Sequence, residues 1–529
     1  MQNLTVQKLV LVGIFLAGCL AAVFLANQVA EGNHKTVFFL FTAVLGTAVL
    51  LMAKNHFWLA IPIGLSLNLP AVPIGFRTLE ASELAVILAT LLFIIRIALQ
   101  NQPIKLRPQW SWPILLYLAM VALSYAQRPV GLWVLGSETG GARFYLKIGM
   151  AFMAFLILSS IEPREKEIKW ILGATLIGQI LTATWDAFSS YYLPAFTWLR
   201  TSATFGEEGF YTWHQSLSQA ALPVYTVILA TLPYRKLFNL RNCFWSIPAL
   251  LACVILVALS GKRAGLAMCL IFPVIIGIAR KEYFHMIIMS SLGILAVFIV
   301  VSGHGSAFTL PLTVQRTLVN LPGQWDERVV KSTLGDAFSP EPDKFRKLMR
   351  EKAEQIIQEK PWTGQGLGVD LKQMYALIVG GQGIDEKERE ALAAGSSWHT
   401  KWLGMAADLG IPASIFYAIF NLMMLGLYMM LADRTRDLRW INAFVLVQLC
   451  YVVRWLLLST TGGHTAISPF EEWWIYGIGL SLWYTLPKRE LGQPPGPSPA
   501  TTQEEIPEWN GRQEISLARM RGVPGQSEK

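Results

Sequence analysis

Ala249-Leu250-Leu251-Ala252-Cys253-Val254-Ile255-Leu256-Val257-Ala258-Leu259 runs into Ser260-Gly261-Lys262-Arg263, and then into Ala264-Gly265-Leu266-Ala267-Met268-Cys269-Leu270-Ile271. Two apolar runs, over 242–260 and 263–279, flank a short polar turn, and a third follows over 283–301. Each is close to the ~20 residues that an α-helix needs to cross a bilayer. Hydrocarbon offers no partner to backbone N–H and C=O groups, so such runs must bond internally as helices. The expected fold is therefore all-α: a polytopic integral membrane protein with about 12–14 transmembrane helices.

The pattern continues on both sides of this stretch. Further spans are expected at 9–29, 36–53, 57–76, 81–99, 110–126, 143–161, 167–189, 215–233, 407–432, 440–459 and 468–486. Composition agrees, with 53% hydrophobic and 15% charged residues, where an average soluble domain carries about 25% charged. A soluble enzyme, a disordered chain and a nucleic-acid-binding module are thereby excluded as the main reading. Cys19, Cys243, Cys253, Cys269 and Cys450 lie in apolar stretches without CxxC spacing, which points to neither a disulfide framework nor a zinc site. Leu16-Ala17-Gly18-Cys19 resembles a lipoprotein signal, but the apolar run continues through Ala26, so a first span is expected rather than cleavage.

Net charge is +9, and its distribution carries the topology. Lys105/Arg107, Arg164/Lys166/Lys169, Arg235/Lys236/Arg241, Arg280/Lys281, Arg434/Arg436/Arg439 and Lys488/Arg489 fall in alternate loops. By the positive-inside rule these are cytoplasmic. The 190–214 loop, the Gly261-Lys262-Arg263 turn and the long 302–406 segment then lie outside. Four regions are expected: an N-terminal transmembrane bundle over 1–301, a periplasmic helical loop domain over 302–406, C-terminal transmembrane helices over 407–486, and a disordered cytoplasmic tail over 487–529. Within the loop domain, Ser339-Pro340-Glu341 reads as a helix start, with an amphipathic helix over 342–359 that ends before Pro361.

Polar residues on the outer side fall in three stretches. One is Leu199-Arg200-Thr201-Ser202-Ala203-Thr204-Phe205-Gly206, and the second is the Ser260–Arg263 turn. The third comprises Pro361-Trp362-Thr363-Gly364-Gln365-Gly366-Leu367-Gly368 and Trp398-His399-Thr400-Lys401-Trp402-Leu403-Gly404-Met405-Ala406-Ala407-Asp408-Leu409-Gly410. The glycine run is no nucleotide loop, since no Gly-Lys-Ser/Thr follows it.

These stretches resemble the O-antigen ligase and O-antigen polymerase superfamily of bacterial polytopic membrane glycosyltransferases. Ser260 and Arg263 match its Ser-x-x-Arg turn between two spans. Pro361, Gly364, Gly366 and Gly368 match its Pro-x-x-Gly-x-Gly-x-Gly run. His399, Leu403 and Gly410 fit its His-Asn-x-x-Leu-x-x-x-x-Glu-x-Gly register at the start of a span, with Thr400 in place of the Asn and Asp408 in place of the Glu. The similarity extends over roughly 190–480, and the N-terminal half matches in hydropathy alone.

The resemblance implies a donor glycan linked through diphosphate to a polyprenol such as undecaprenol. The acceptor would be another glycan, lipid A-core or a protein, and the location the bacterial inner membrane. No cofactor, metal or nucleic acid is implied. Negative charge builds on the leaving diphosphate, and a guanidinium binds phosphate oxygens in a planar fork. Arg263 and then Arg200 are the candidates for this role, set against a snorkelling helix anchor and a solvated loop cation. His399 would accept the hydroxyl proton or orient the acceptor, set against an interfacial histidine bonded to backbone. Arg77, Arg143, Lys147 and Arg454 are further candidates for donor binding, because ionisable groups at span ends are costly and often functional. For the span residues among these, a structural pair with a carboxylate such as Asp186 or Glu471 is the plain alternative. A transporter or flippase of lipid-linked glycans is the rival function, and a non-catalytic scaffold a second rival. Polar motifs clustered on the outer face fit interfacial chemistry better than transport, and a scaffold would leave Arg200, Arg263 and His399 far apart in the fold.

Overall fold

The computed structural model describes residues 54–66, 72–74, 77–79, 81–100, 104–127, 143–191, 210–327, 329–330, 350–351, 353–367, 401–461 and 470–486. Helices dominate. A 3-10 turn at Lys54–Leu59 leads into α1 (Ala60–Ser66), followed by α2 (Ala81–Gln100), α3 (Pro108–Gln127), α4 (Arg143–Ser160), α5 (Glu165–Tyr191) and α6 (Phe210–Thr231). A short α7 (Tyr234–Leu237) precedes α8 (Leu240–Leu259), α9 (Arg263–Arg280), α10 (Tyr283–Gly303) and α11 (Leu312–Leu318). The chain closes with α12 (Lys401–Leu409), α13 (Ile411–Arg434), α14 (Arg439–Thr461) and α15 (Phe470–Thr485). Among the described residues, α8, α9, α10, α13 and Arg439–Leu458 of α14 are long and apolar enough to cross a membrane. The protein is an all-α polytopic membrane protein.

Two expected spans differ from the structure. Among the described residues of 57–76 there is no crossing helix: α1 is only seven residues, about 10 Å at 1.5 Å per residue. A β-hairpin follows, pairing Val72 with Leu79, Pro73 with Thr78 and Ile74 with Arg77. Pro73 lies in the first strand of this hairpin, where its missing N–H and fixed φ suit an extended segment rather than a continuing helix. The second difference is at 407–432. The chain forms α12 first, turns at Gly410, and starts the long helix α13 at Ile411.

Packing holds the bundle through aromatic side chains and close helix contacts. Phe420 of α13 meets Phe155 of α4 edge-on at 5.9 Å and Tyr476 of α15 at 5.2 Å between ring centres. At Gly477, α15 approaches α4 so closely that a Cβ would lie 2.8 Å from the Phe155 carbonyl oxygen. Small residues at such crossings let backbones pack without a water-driven force. By contrast α10 buries none of its residues. A helix apolar on every side and unburied is one that faces lipid.

The Lys/Arg-rich loops gather at one end of the bundle. The Lys105 amide donates to Ser160 Oγ at 3.1 Å, and Lys281 pairs with Asp433 at 3.0 Å. Lys169 lies over the Trp440 ring, Arg107 over Tyr484, and the Tyr234 amide donates to Glu282 at 2.9 Å. Two arginines there close helix ends. Arg280 donates to the Leu229 and Leu232 carbonyls at the end of α6, each at 2.9 Å, and also to Ala230. Arg434 donates to the Trp483 carbonyl at 2.8 Å and to Leu486 at the end of α15. Cations suit these positions because the last carbonyls of a helix lack intrahelical partners and carry its negative dipole end.

Candidate functional site

The opposite end of the bundle carries the polar motifs. Its first component is the turn between α8 and α9. Ser260 donates through Oγ to the Val257 carbonyl at 2.6 Å and accepts the Lys262 amide at 3.3 Å. Arg263 is then the first residue of α9, so its side chain leaves from the positive end of that helix. The segment after α10 folds back over this turn. Thr317 of α11 donates to the Ala258 carbonyl at 3.0 Å, and Arg263 Nη1 donates to Asn320 Oδ1 at 3.1 Å. His304 stacks on Trp325 at 5.3 Å and accepts the Leu310 amide through Nδ1 at 3.1 Å, which fixes the base of the fold-back.

Lys262 sits at the tip of the turn, partly buried, and Arg454 of α14 is its electrostatic neighbour. Burial, and then the Arg454 charge, hold the Lys262 ammonium below the usual lysine range. Arg454 lies 5.9 Å from the Tyr451 ring centre. Among the described residues neither cation has a carboxylate in salt-bridge contact. Like charges without a counterion favour an anionic ligand.

The second component joins the glycine run to α12. Helical residues 353–359 end at Lys360, and Ala353 and Ile356 pack on Ala407 of α12. The chain then turns through Pro361–Leu367 directly against the break between α12 and α13. The Gln365 amide donates to the Ala407 carbonyl at 2.9 Å, the Gly366 amide to Asp408 at 2.8 Å, and the Ile411 amide to Pro361 at 2.8 Å. Gln365 Nε2 also donates to Asp408 Oδ1 at 3.0 Å, and the Leu367 amide donates to the Tyr145 hydroxyl of α4 at 2.9 Å. Two glycines permit the contact. Gly364 has φ +62° and Gly410 φ +90°, and a Cβ on either would lie within 2.4 Å of the facing backbone. The two motifs that the sequence shows as separate runs are therefore one docked unit.

The candidates from sequence fall into three groups. Arg263 stands at the motif-bearing end, as described. Lys147 of α4 pairs at 3.4 Å with Glu83 of α2, a carboxylate other than the two considered from sequence, and Arg454 neighbours Lys262. Arg77 is placed on the hairpin and Arg143 at the start of α4 by their backbones alone. Arg200 and His399 lie outside the described residues. Sequence reasoning passed over Lys262 and the buried residues Lys401 and Glu472. Lys401 was legible as a charge two positions beyond His399 in a run leading into a span.

The fold and this end of it define a class: a polytopic, all-α membrane protein with two polar motif regions, the Ser260–Arg263 turn and the docked glycine run, at the same end of the bundle. Residues 248–418 match the family model Wzy_C, O-antigen ligase. No curated protein matches the chain. The matched segment runs from within α8 into α13 and takes in both components of the site. Over residues 248–418 the chain is thus similar to O-antigen ligases, and the resemblance read from its motifs is borne out over that span.

Proposed function

We propose that the protein transfers or polymerises a polyprenyl-diphosphate-linked oligosaccharide on the periplasmic face of the bacterial inner membrane. The observation that carries this reading is the approach of Arg454 of α14 to Lys262, beside Arg263, at the end opposite the Lys/Arg-rich loops, with the Ser260–Arg263 turn inside the segment that matches the O-antigen ligase model. In the proposed step the bond between the first sugar carbon and phosphate oxygen breaks. The acceptor oxygen forms the new bond to that carbon and gives up its proton to His399, or to a water or phosphate oxygen if His399 only orients it. The polyprenyl diphosphate leaves with its extra negative charge stabilised by Arg263, Arg200 and their neighbours rather than by a metal. Arg77, Arg143 and Arg454 would extend the contact with the donor, and Lys147, its charge countered by Glu83, would line the same end.

Reconstituted protein given polyprenyl-diphosphate glycan should release polyprenyl diphosphate when an acceptor is added, at a rate that chelators leave unchanged. Lipid A-core, a second lipid-linked glycan and a protein acceptor, tried separately, distinguish ligase, polymerase and protein transferase. A strict requirement for a divalent cation would reject the metal-free mechanism. Movement of intact donor across the bilayer without bond cleavage would instead establish the flippase reading.

The state of Lys262 adds a pH dependence. Its charged form is the one that attracts diphosphate, and a bound anion raises its pKa by offsetting both burial and Arg454. Binding therefore takes up protons, and affinity falls as pH rises through the free-state value, which lies below that of an ordinary lysine. Titration of donor affinity against pH should show this decline in the parent and lose it in Lys262→Gln. A decline identical in both would assign it to another group.

A further inference from the structure

Beneath the docked glycine turn lies an ionic cluster that the cationic site does not include. Lys401, in the first turn of α12, is 1% exposed, and Glu472 of α15 is 4% exposed. Lys401 Nζ contacts Glu472 Oε1 and also donates to the Tyr417 hydroxyl of α13 at 2.9 Å. Tyr417 in turn donates to the second carboxylate oxygen, Oε2. The three groups close a ring in which both oxygens of the carboxylate are used. Aromatic side chains surround it: Lys401 Nζ is 4.8 Å from the Tyr417 ring centre, which lies 5.4 Å from Tyr117 and 5.9 Å from Trp402.

A buried ion pair is poor evidence of stabilisation, because apolar residues of similar volume often do as well or better. What a directional ring can supply is geometry. It ties the start of α12 to two long helices, α13 and α15. The other end of α12 presents the Ala407 and Asp408 carbonyls that hold the Gln365 and Gly366 amides. A rotation of α12 about its own axis would turn those carbonyls away from the glycine turn. Lys401 is the side chain placed to resist that rotation, bonded at once to α13 and α15.

We propose that the Lys401–Glu472–Tyr417 ring is a positioning device for the transfer site, fixing the rotation of α12 so that the Pro361–Leu367 turn stays docked. The link to transfer rests on the glycosyltransferase reading above; the link to docking does not. Neither Lys401 nor Glu472 is assigned contact with the reacting atoms.

The test uses the full-length protein in lipid nanodiscs. Lys401→Met/Glu472→Leu removes the ring without stranding a buried charge, and Tyr417→Phe removes one hydroxyl and keeps the ion pair. Amide exchange of the 361–367 segment reports docking, thermal unfolding reports overall stability, and donor turnover reports function. In the double variant, exchange at 361–367 should quicken at least tenfold and kcat should fall at least tenfold. Donor KM should stay within about threefold and the unfolding temperature near that of the parent. Tyr417→Phe should show the same exchange effect at several-fold size, and it decides the matter if the double variant fails to fold. Parental exchange at 361–367 in Tyr417→Phe and in any folded double variant would overturn the proposal, as would losses of exchange protection and unfolding temperature shared equally by every helix. Faster exchange in a protein whose parent form shows no donor turnover would retain the docking role and reject the glycosyltransferase reading.

Discussion

Gly410→Ala is expected to undock the glycine turn and lose nearly all transfer activity. At φ +90° and ψ 161°, Gly410 occupies a region that residues with a Cβ essentially avoid. The added methyl would lie 2.2 Å from the Trp362 carbonyl oxygen and 2.4 Å from its carbon, and these are backbone atoms that cannot swing aside. Torsional strain alone is of order 1–3 kcal/mol, and the collision adds to it. The chain would escape by parting Pro361–Leu367 from α12, which breaks the bonds from Gln365, Gly366 and Ile411. Thermal unfolding and amide exchange over 361–367 measure this directly. Parental values for both would show that the contact is not held in solution.

Arg263→Lys should insert and fold as the parent does, yet lose roughly 30- to 1000-fold in turnover. That range corresponds to about 2–4 kcal/mol of stabilisation made in the transition state. The substitution keeps one positive charge at the start of α9 and loses the planar fork. It also loses the rigid geometry set by the bond from Nη1 to Asn320. Asn320→Ala should therefore produce a smaller loss in the same direction. Comparison of equally expressed, purified variants settles the matter. Parental turnover in Arg263→Lys would leave Arg263 as a helix anchor.

Much of the helical frame was legible because a bilayer imposes one length and one bonding rule on any span. The expected edges of the spans that became α2, α3, α8, α9, α10 and α14 lie within about two residues of those observed, well inside the uncertainty of reading boundaries from sequence. The failures occurred where hydropathy outweighed backbone chemistry. Residues 57–76 are apolar, but Pro73 falls in an extended strand of a hairpin rather than in a helix. At 407–432, the Gly410-Ile411-Pro412 sequence is a stop followed by a start, and the apolar run conceals it. The Ser260–Arg263 turn and the glycine run stand out in the sequence by order and spacing, while Arg200 and His399 lie outside the described residues. The docking of the glycine run on α12 was not legible, since nothing in a one-dimensional pattern docks Gln365 on Ala407. The partner of Lys401 shows the same limit. Sequence reasoning paired no carboxylate with Lys401, and Glu472, 71 residues away in the chain, meets it only where α12 and α15 come together in the fold.

Arg280 and Arg434 bear on how the orientation of this chain can be measured. Both belong to the positive loops from which the topology is read, but their guanidinium groups are also mortar between helices. An attempt to invert the molecule by neutralising them would strip the ends of α6 and α15 of their partners, and degradation would then pass for a change of sidedness. Arg235, Lys236 and Arg241 are exposed. These are the charges to erase first, because what they contribute is sign rather than structure.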